Sequence, residues 1–383
     1  MSAKESEPVD FLLFSWPIRF LFILMGKFPF RQGKRSGLIY PVSSKTLSVV
    51  TTVINILVIG LMITALVEIC REEEESVSIS KRVFMGIIKL WYISTMIISL
   101  SHLVTYKFIS RWLEDLYDLY VDVTFIMSAR ERYHLKYRHL AISAAIFLYV
   151  GINLVLTTTD FMRFGPFVAL ANVPVIFQFQ VTTVYLVCHQ YVMYEILVQC
   201  ERSLYPTAHH TNSVLKMYTS LAKINEEFNS VNWVKVLVLA FCCISGLLTE
   251  AYRLGCVYFL GRDNIVMFQS RVSEFFFLQQ LFIIMLLISY TGTMKESQRS
   301  SLLMKANLFM TEFKDEIRKQ AKMLIMVLSQ LPVYISAGFF HVNLSFLMST
   351  CGILITYIVI LMQFEMEYDG PTTVSSPLNI TSK

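Results

Sequence analysis

The sequence predicts an all-α polytopic membrane protein with seven transmembrane helices and a split seventh segment. Its 383 residues are 55% hydrophobic and have a mean hydropathy of +0.55, above the values typical of soluble globular domains. Several apolar runs reach about 20 residues, the length that a helix needs to cross a bilayer. The chain has no obvious internal repeat, so a solenoid or an inverted-repeat transporter is not indicated.

Residues 1–45 form a predicted cytoplasmic N-terminal segment. The apolar stretch 11–30 lacks the basic start and the cleavage site of a signal peptide, and Pro17 and Arg19 interrupt it. We interpret this stretch as an interfacial helix that remains attached to the chain. The basic residues from Lys27 to Lys45 then indicate the cytoplasmic face, where basic runs beside a membrane are retained.

Seven spans follow, and the Lys and Arg residues between them are unevenly distributed. The spans are predicted at residues 46–69, 83–106, 137–159, 166–194, 233–260, 272–291 and 344–364. The N-terminal segment and the connections on its side carry 23 positive residues, against 7 on the other side. This excess predicts a cytoplasmic N-terminus and an extracellular C-terminus. A G-protein-coupled receptor has the opposite orientation, so the charges oppose that class.

The connections on the two sides differ in character. The inner connection 107–138 places Trp112, Leu116 and Tyr120 on one helical face, which predicts cytoplasmic extensions of the membrane helices. The first outer connection carries four consecutive carboxylates at residues 72–75. These belong either to a solvated acidic loop or, repeated in an oligomer, to a ring that concentrates cations.

The seventh segment is predicted to be divided. Its first part, residues 311–330, begins polar and ends apolar, and the apolar part is too short to cross a bilayer. Pro332 and Gly338 then interrupt the backbone. Asn343 is placed to cap the helix that restarts after them.

The last span carries small and polar residues at spacings of three and four, which puts them on one helical face. They are Ser345, Ser349, Gly352, Thr356 and Gln363. Such a stripe either packs closely against another helix or faces water. A primary amide such as Gln363 needs partners for both its carbonyl and its amine, which favours water. One helix cannot enclose water, but several copies around an axis can.

The end of this span resembles a known motif. Thr356 and Tyr357, five apolar residues, then Gln363 and Phe364 resemble the TYxxxxxQF signature of insect gustatory receptors, and the preceding AGFFHVNLSFLMSTCGIL resembles that family's approach to the signature. The resemblance implies a subunit of a tastant-gated, non-selective cation channel, a homo- or hetero-tetramer with related receptors in the plasma membrane of chemosensory neurons. Sugar-sensing members often carry Glu directly after the Thr-Tyr pair, whereas Ile358 stands here, which favours a bitter or otherwise specialised ligand.

The resemblance also implies a division of the chain and roles for the last helix. Residues 46–291 would form a six-helix bundle with an outer ligand pocket, 292–342 a cytoplasmic anchor with the first half of segment seven, 343–364 the pore-lining helix, and 365–383 an extracellular tail. The gate would lie at Gln363 and Phe364, with Ile360 one turn inward. Ser349 and Thr356 would line the pore, and Tyr357 would pack on neighbouring helices.

Polar and aromatic residues at one depth in the outer halves of the spans predict a ligand pocket. The candidates are Trp91, Tyr92, Tyr149, Asn153, Gln178, Glu250, Tyr252, Arg253, Glu274, Gln279 and Gln280; Lys89, Gln180 and Tyr258 share their depth. Structural roles are open to several of these residues. Glu250 and Arg253 are spaced to neutralise each other on one helix, and Asn153, Gln178 and Gln279 are typical of hydrogen bonds between helices.

Other functions find no support in the sequence. The chain has no motif with catalytic spacing, and its seven cysteines show no metal-binding pattern, so we expect no enzyme, metal or cofactor. The expected partners are a small-molecule tastant and the bilayer, with no nucleic acid. Asn379 begins a glycosylation sequon on the predicted outer side. The remaining alternatives are an insect odorant receptor of the same architecture and, against the charges, a G-protein-coupled receptor.

Overall fold

The computed structural model describes residues 12, 15–24, 30–35, 38–74, 79–161, 166–260, 271–312 and 315–368. The chain is built almost entirely of helices, which confirms the predicted fold class. The elements are α1 (Trp16–Leu24), β1 (Phe30–Arg35), β2 (Leu38–Ser43), α2 (Lys45–Glu74), α3 (Ile79–Ile126), α4 (Ala129–Phe161), α5 (Pro166–Ser203), α6 (Ala208–Leu260), α7 (Arg271–Glu312), α8 (Asp315–Gln330) and α9 (Leu344–Tyr368).

A short antiparallel hairpin, β1–β2, was not predicted. The two strands pair in register from Phe30 opposite Ser43 to Arg35 opposite Leu38. The hairpin lies between α1 and α2, in the segment where the sequence indicated only a basic run. Backbone pairing of this kind needs no alternating apolar pattern, so hydrophobic periodicity did not reveal it.

Six of the described helices contain a stretch long and apolar enough to cross a membrane. These stretches are Lys45–Arg71, Gly86–Ile109, Ala129–Val155, Asn172–Ser203, Ala208–Tyr252 and Leu344–Gln363, and each overlaps one of the predicted spans one to five and seven. The predicted sixth span, residues 272–291, lies in α7, where the side chains of residues 271–278 fall outside the described set. The sixth span therefore stays a prediction.

Several helices extend well beyond their apolar stretches, as the inner connections predicted. The helix α3 continues to Ile126, and Trp112, Leu116 and Tyr120 on its extension are buried. It packs along α6, while α5 packs along α7. The centre of the bundle is α5, where 78% of an apolar run of 18 residues is buried.

The seventh segment is divided, as predicted. The helix α8 ends at Gln330, and α9 begins at Leu344 after the irregular residues 331–343, which we call the linker. The side-chain oxygen of Asn343 accepts a hydrogen bond from the Phe346 amide at 2.9 Å, which confirms the predicted cap. Within the linker, Gly338 has a φ of 83°, a conformation that favours glycine.

The start of α8 was predicted too early. Residue 311 belongs to α7, which runs to Glu312, and α8 begins at Asp315. The reason is that Leu302, Ala306 and Phe309 continue a buried face of α7 at helical spacing up to that point.

Candidate functional site

The helix α9 lies at the edge of the bundle and is buried along one narrow face. Leu347, Thr350 and Leu354 are buried at spacings of three and four, where α9 packs on α6 and α7. Only 17% of an apolar run of 18 residues in this helix is buried. Most of this helix is therefore left uncovered by the residues that the structure describes.

The polar stripe of α9 points away from the bundle. Ser349, Thr356, Ile360 and Gln363 are exposed. At about 100° per residue, their mean direction lies about 145° around the helix from the buried face. The Thr356 hydroxyl donates to the Gly352 carbonyl one turn earlier, at 3.0 Å. The polar stripe is thus free to meet water or the helices of other protomers, the two environments that its composition allows.

Two other residues of the motif can be placed only in part. Tyr357 is 54% exposed in the protomer, so the packing expected for its ring would have to involve a neighbouring subunit. The side chain of Phe364 lies outside the described residues.

The linker is held against α6 by side-chain hydrogen bonds. The Tyr218 hydroxyl donates to the Leu331 carbonyl at 2.7 Å. Asn225 and Asn229 both donate to the Tyr334 carbonyl, at 3.1 and 2.8 Å. These bonds satisfy backbone groups that the broken helix leaves without intrahelical partners, so they fix the path of the chain towards α9.

The first residue of α9 is attached to α7. The Thr293 hydroxyl accepts the Leu344 backbone N–H at 3.0 Å. One residue earlier, Gly292 approaches the linker so closely that an added Cβ would lie 2.5 Å from the Val342 carbonyl oxygen. Since only a glycine allows this approach, α7 sets the position of the start of α9.

A buried lysine lies beside this junction, at a position that was not predicted to be buried. Lys295 is fully buried, and its ammonium donates to the side-chain oxygen of Asn225, which also holds the linker, at 3.3 Å. Burial lowers the pKa of Lys295 to about 7. No signal in the sequence indicated this burial, because polar and small residues surround Lys295 on its helix and its position after the predicted sixth span favoured the inner surface.

A cavity, which we call the outer cavity, lies between α3, α5 and α7, in the half of the bundle that the positive residues predict to be outer. The space between its lining residues is about 310 Å³ when the open solvent at its mouth is included. Its lining consists of Trp91, Ile176, Phe179, Gln180, Gln280, Leu281 and Ile284. Two predicted pocket residues, Trp91 and Gln280, are therefore brought together here.

Gly246 of α6 allows this wall to form. A Cβ at this position would lie 2.6 Å from the Cδ1 atom of Leu281 and 3.1 Å from the Cζ2 atom of Trp91, which are both lining residues. The absence of a side chain at Gly246 therefore lets Trp91 and Leu281 pack directly against α6.

The polar group most clearly directed into a site is Gln180, which shares the depth of the predicted pocket residues but was not selected among them. Gln180 is 2% exposed, and neither its carbonyl oxygen nor its amide nitrogen has a hydrogen-bond partner in the part of the chain that the structure describes. Gln178 differs, because its amide donates to the Ser99 hydroxyl at 3.1 Å. Gln178 thus joins α5 to α3 by a hydrogen bond between helices, the structural role that its residue type allowed.

The other predicted pocket residues are not part of this lining. Tyr92 is buried beside Asn172, and Tyr149 lies beside Asn153 on α4. Glu250 is buried, Tyr252 is half-buried and Gln279 is exposed. The side chains of Arg253, Glu274 and residues 72–75 lie outside the described residues, as does Asn379.

Comparisons with known proteins identify a matching family and solved structures of similar fold. The sequence profile described as 7tm chemosensory receptor matches residues 17–368. The fold is similar to the structure of the insect olfactory receptor OR5 from Machilis hrabei, with a TM-score of 0.67 and 18% identity over 91% of this chain and 97% of that chain. The structure of OR5 in complex with eugenol gives a TM-score of 0.61 at 18% identity, over 91% of this chain and 98% of that chain. No curated protein matches the sequence.

Proposed function

The chain belongs to the 7tm chemosensory receptor family, and on this premise we propose that it is a subunit of a ligand-gated, non-selective cation channel. The observation that carries the proposal is the direction of the polar stripe on α9. The Gln363 amide, exposed in a membrane helix, needs partners for its donor and its acceptor, and a water-filled pore between subunits supplies them.

The proposed assembly is a tetramer, of this chain alone or with related receptors. Four copies of α9 around a central axis would turn the stripe of Ser349 and Thr356 towards the pore. Ile360, Gln363 and Phe364 would form the gate, since bulky side chains close a pore by excluding water and amides stabilise a partly dehydrated cation when it opens. The proposed orientation has a cytoplasmic N-terminus, on the evidence of the positive residues.

The proposed ligand is a small tastant that binds in the outer cavity. The TYxxxxxQF motif favours a gustatory receptor of chemosensory neurons, acting in their plasma membrane. Ile358 after the Thr-Tyr pair favours a bitter or specialised ligand over a common sugar. The solved complex of OR5 with eugenol supports small-molecule binding in a protein of this fold.

The proposal is tested by expressing the full chain in cells with a tag at each end and recording whole-cell currents. Sugars, bitter compounds and amines are applied while G-proteins are blocked. We expect a fast current that one of these ligands evokes, with an ion preference or gating that changes in Gln363→Ala. The matched control is Ile355→Ala, on the same helix, exposed and off the stripe.

Two outcomes would contradict the proposal. One is a receptor at the cell surface that signals only through G-proteins, and the other is an N-terminal tag that is accessible from outside.

An odorant receptor subunit is the second candidate, because the similar solved structures are of an olfactory receptor. Volatile compounds added to the panel discriminate the two. Responses confined to volatile compounds would favour the odorant receptor.

A further inference from the structure

Two carboxamides on α5 occupy the same depth but different environments. Gln178 is bonded to Ser99 of α3, whereas Gln180 directs an unpartnered carboxamide into the outer cavity. Residues two apart lie about 200° apart around a helix, so the two side chains point in opposite directions. Gln178, whose amide joins two helices, is therefore the natural control for Gln180.

A buried carboxamide without partners is unfavourable, because water has been removed from both its donor and its acceptor. Native structures keep few such groups, and those that persist have a physical cause such as a bound molecule. At Gln180 both ends of the amide are unsatisfied among the described residues. A ligand that restores both hydrogen bonds must itself carry a donor and an acceptor.

The rest of the lining limits the charge and shape of this ligand. The ring faces of Trp91 and Phe179 supply flat apolar surface, and Gln280 supplies a second amide. None of the lining residues that the structure describes is ionisable. A charged ligand would lose its hydration here without gaining a counter-ion, which a neutral ligand avoids.

The size of the cavity limits the ligand further. The space between the lining residues is small, since the figure of about 310 Å³ includes the open solvent at its mouth. Such a space suits one substituted ring better than an extended or polycyclic compound.

We propose that the outer cavity selects a neutral, single-ring compound that both donates and accepts a hydrogen bond, and that Gln180 determines this specificity. The inference rests on the proposed function, since it names the ligand class of the same site. It assigns Gln180 a direct contact with the ligand and leaves Gln178 a structural role.

Three probes of nearly equal size separate charge from shape. They are benzamide, benzoate and benzylammonium, which are neutral, anionic and cationic, and each is added to the purified full-length receptor. Binding is measured as the rise in Tm with ligand concentration, because a ligand that binds only the folded state raises Tm. We expect benzamide to raise Tm at concentrations at least tenfold lower than either charged probe.

The variant Gln180→Leu keeps the approximate volume of the side chain and removes the amide. We expect it to weaken benzamide binding at least tenfold and to strengthen the binding of ethylbenzene, which has no hydrogen-bonding group. The gain for ethylbenzene cannot arise from a misfolded protein. Gln178→Leu is the matched control, and we expect it to leave the order of the probes unchanged even where the loss of the bond to Ser99 lowers Tm.

The proposal is overturned if a charged probe binds as well as benzamide, if no probe changes Tm, or if Gln180→Leu leaves the preference for benzamide intact. These failures differ from failure of the proposed function, because a shift in Tm requires no open pore. Ligand-evoked current without discrimination between the probes would retain the channel and reject this ligand class. Discrimination between the probes, with no current under any ligand, would retain this ligand class and reject the channel.

Discussion

The helices α5 and α9 are both apolar enough to cross a membrane, yet α5 is mostly buried in the bundle and α9 is mostly exposed. In an apolar run of 18 residues, 78% are buried in α5, against 17% in α9. Polar side chains on α5, such as Gln178 and Glu195, are bonded to other helices of the same protomer. Those of α9, such as Gln363, are exposed on the face turned away from the bundle.

The comparison shows that the meaning of a polar residue in a membrane helix depends on what covers it. A polar group that the protomer covers holds helices together or, like Gln180, lines a cavity. A polar group that the protomer leaves uncovered must find partners elsewhere, in water or in another subunit. Substitutions on α5 should therefore change the stability of the protomer, and substitutions on the stripe of α9 should change conduction.

The largest expected effect is at Glu195 on α5. This carboxylate is buried and lies 2.8 Å from both the Arg138 guanidinium and the His139 ring. Glu195→Gln removes the charge that these groups share. We expect the free energy of unfolding to fall by about 3 kcal/mol, at the low end for a buried pair because Arg138 is half exposed.

The measurement is chemical or thermal unfolding of the purified protein, with Glu227→Gln as the control. Glu227 forms a surface pair with Lys223 on one helix, so its loss should hardly change stability. Equal stability of Glu195→Gln and the wild type would contradict the conclusion that the polar residues of α5 stabilise the protomer.

The next effect is at Gly292, where α7 meets the linker. In Gly292→Ala the new Cβ would lie 2.5 Å from the Val342 carbonyl oxygen, and a backbone atom cannot move away as a side chain can. We expect a loss of about 2 kcal/mol in the free energy of unfolding, as for other overpacked sites. Gly151→Ala is the control, since a Cβ there meets no atom within 4 Å. A stable Gly292→Ala variant with unchanged ligand response would contradict a close α7–α9 junction.

A smaller effect is expected at Thr293, which accepts the first amide of α9. Thr293→Val keeps the shape and removes the acceptor, at an expected cost of about 1 kcal/mol. Because this bond attaches α9 to the helix that lines the outer cavity, we also expect a shift in the ligand concentration for half-maximal current. Thr219→Val is matched to it, since that hydroxyl is exposed and bonded only to its own helix. Identical dose–response curves for the two variants would argue against coupling through Thr293.

The smallest effect on stability is expected at Gln363. Its side chain is exposed in the protomer, so Gln363→Leu should change the free energy of unfolding by less than about 0.5 kcal/mol. The same variant should alter ion preference or open probability. A large loss of stability without any change in current would mean that Gln363 packs against another helix. The stripe of α9 would then have the structural role that we assign to the polar residues of α5.

Much of the fold could be predicted because a bilayer imposes local requirements. A helix that crosses needs about 20 apolar residues, and its backbone must be satisfied within itself. The division of segment seven followed from a short apolar part and from Pro332, and the cap at Asn343 followed from its place before the final span. The short motif from Thr356 to Phe364 identified the family that the whole-chain comparison then established.

The candidate site could be predicted only in outline. Trp91 and Gln280 were selected because polar and aromatic groups at one depth suggest a pocket, and both line the cavity. Most of the other candidates lie at a similar depth but face different neighbours. The hairpin and the start of α8 were missed because they depend on backbone pairing and on continued packing of α7, which hydropathy does not report.

The sequence by itself determined the class of protein, the division of its last segment and the polar stripe of α9, since length, periodicity and motif spacing act along one helix. Only the tertiary structure decided which glutamine is structural and which is directed into a cavity. Gln178 and Gln180 have the same chemistry two residues apart, and Ser99, 79 positions away in the chain, distinguishes them. Contacts between distant residues satisfy one amide and leave the other unsatisfied, and no local pattern contains that information.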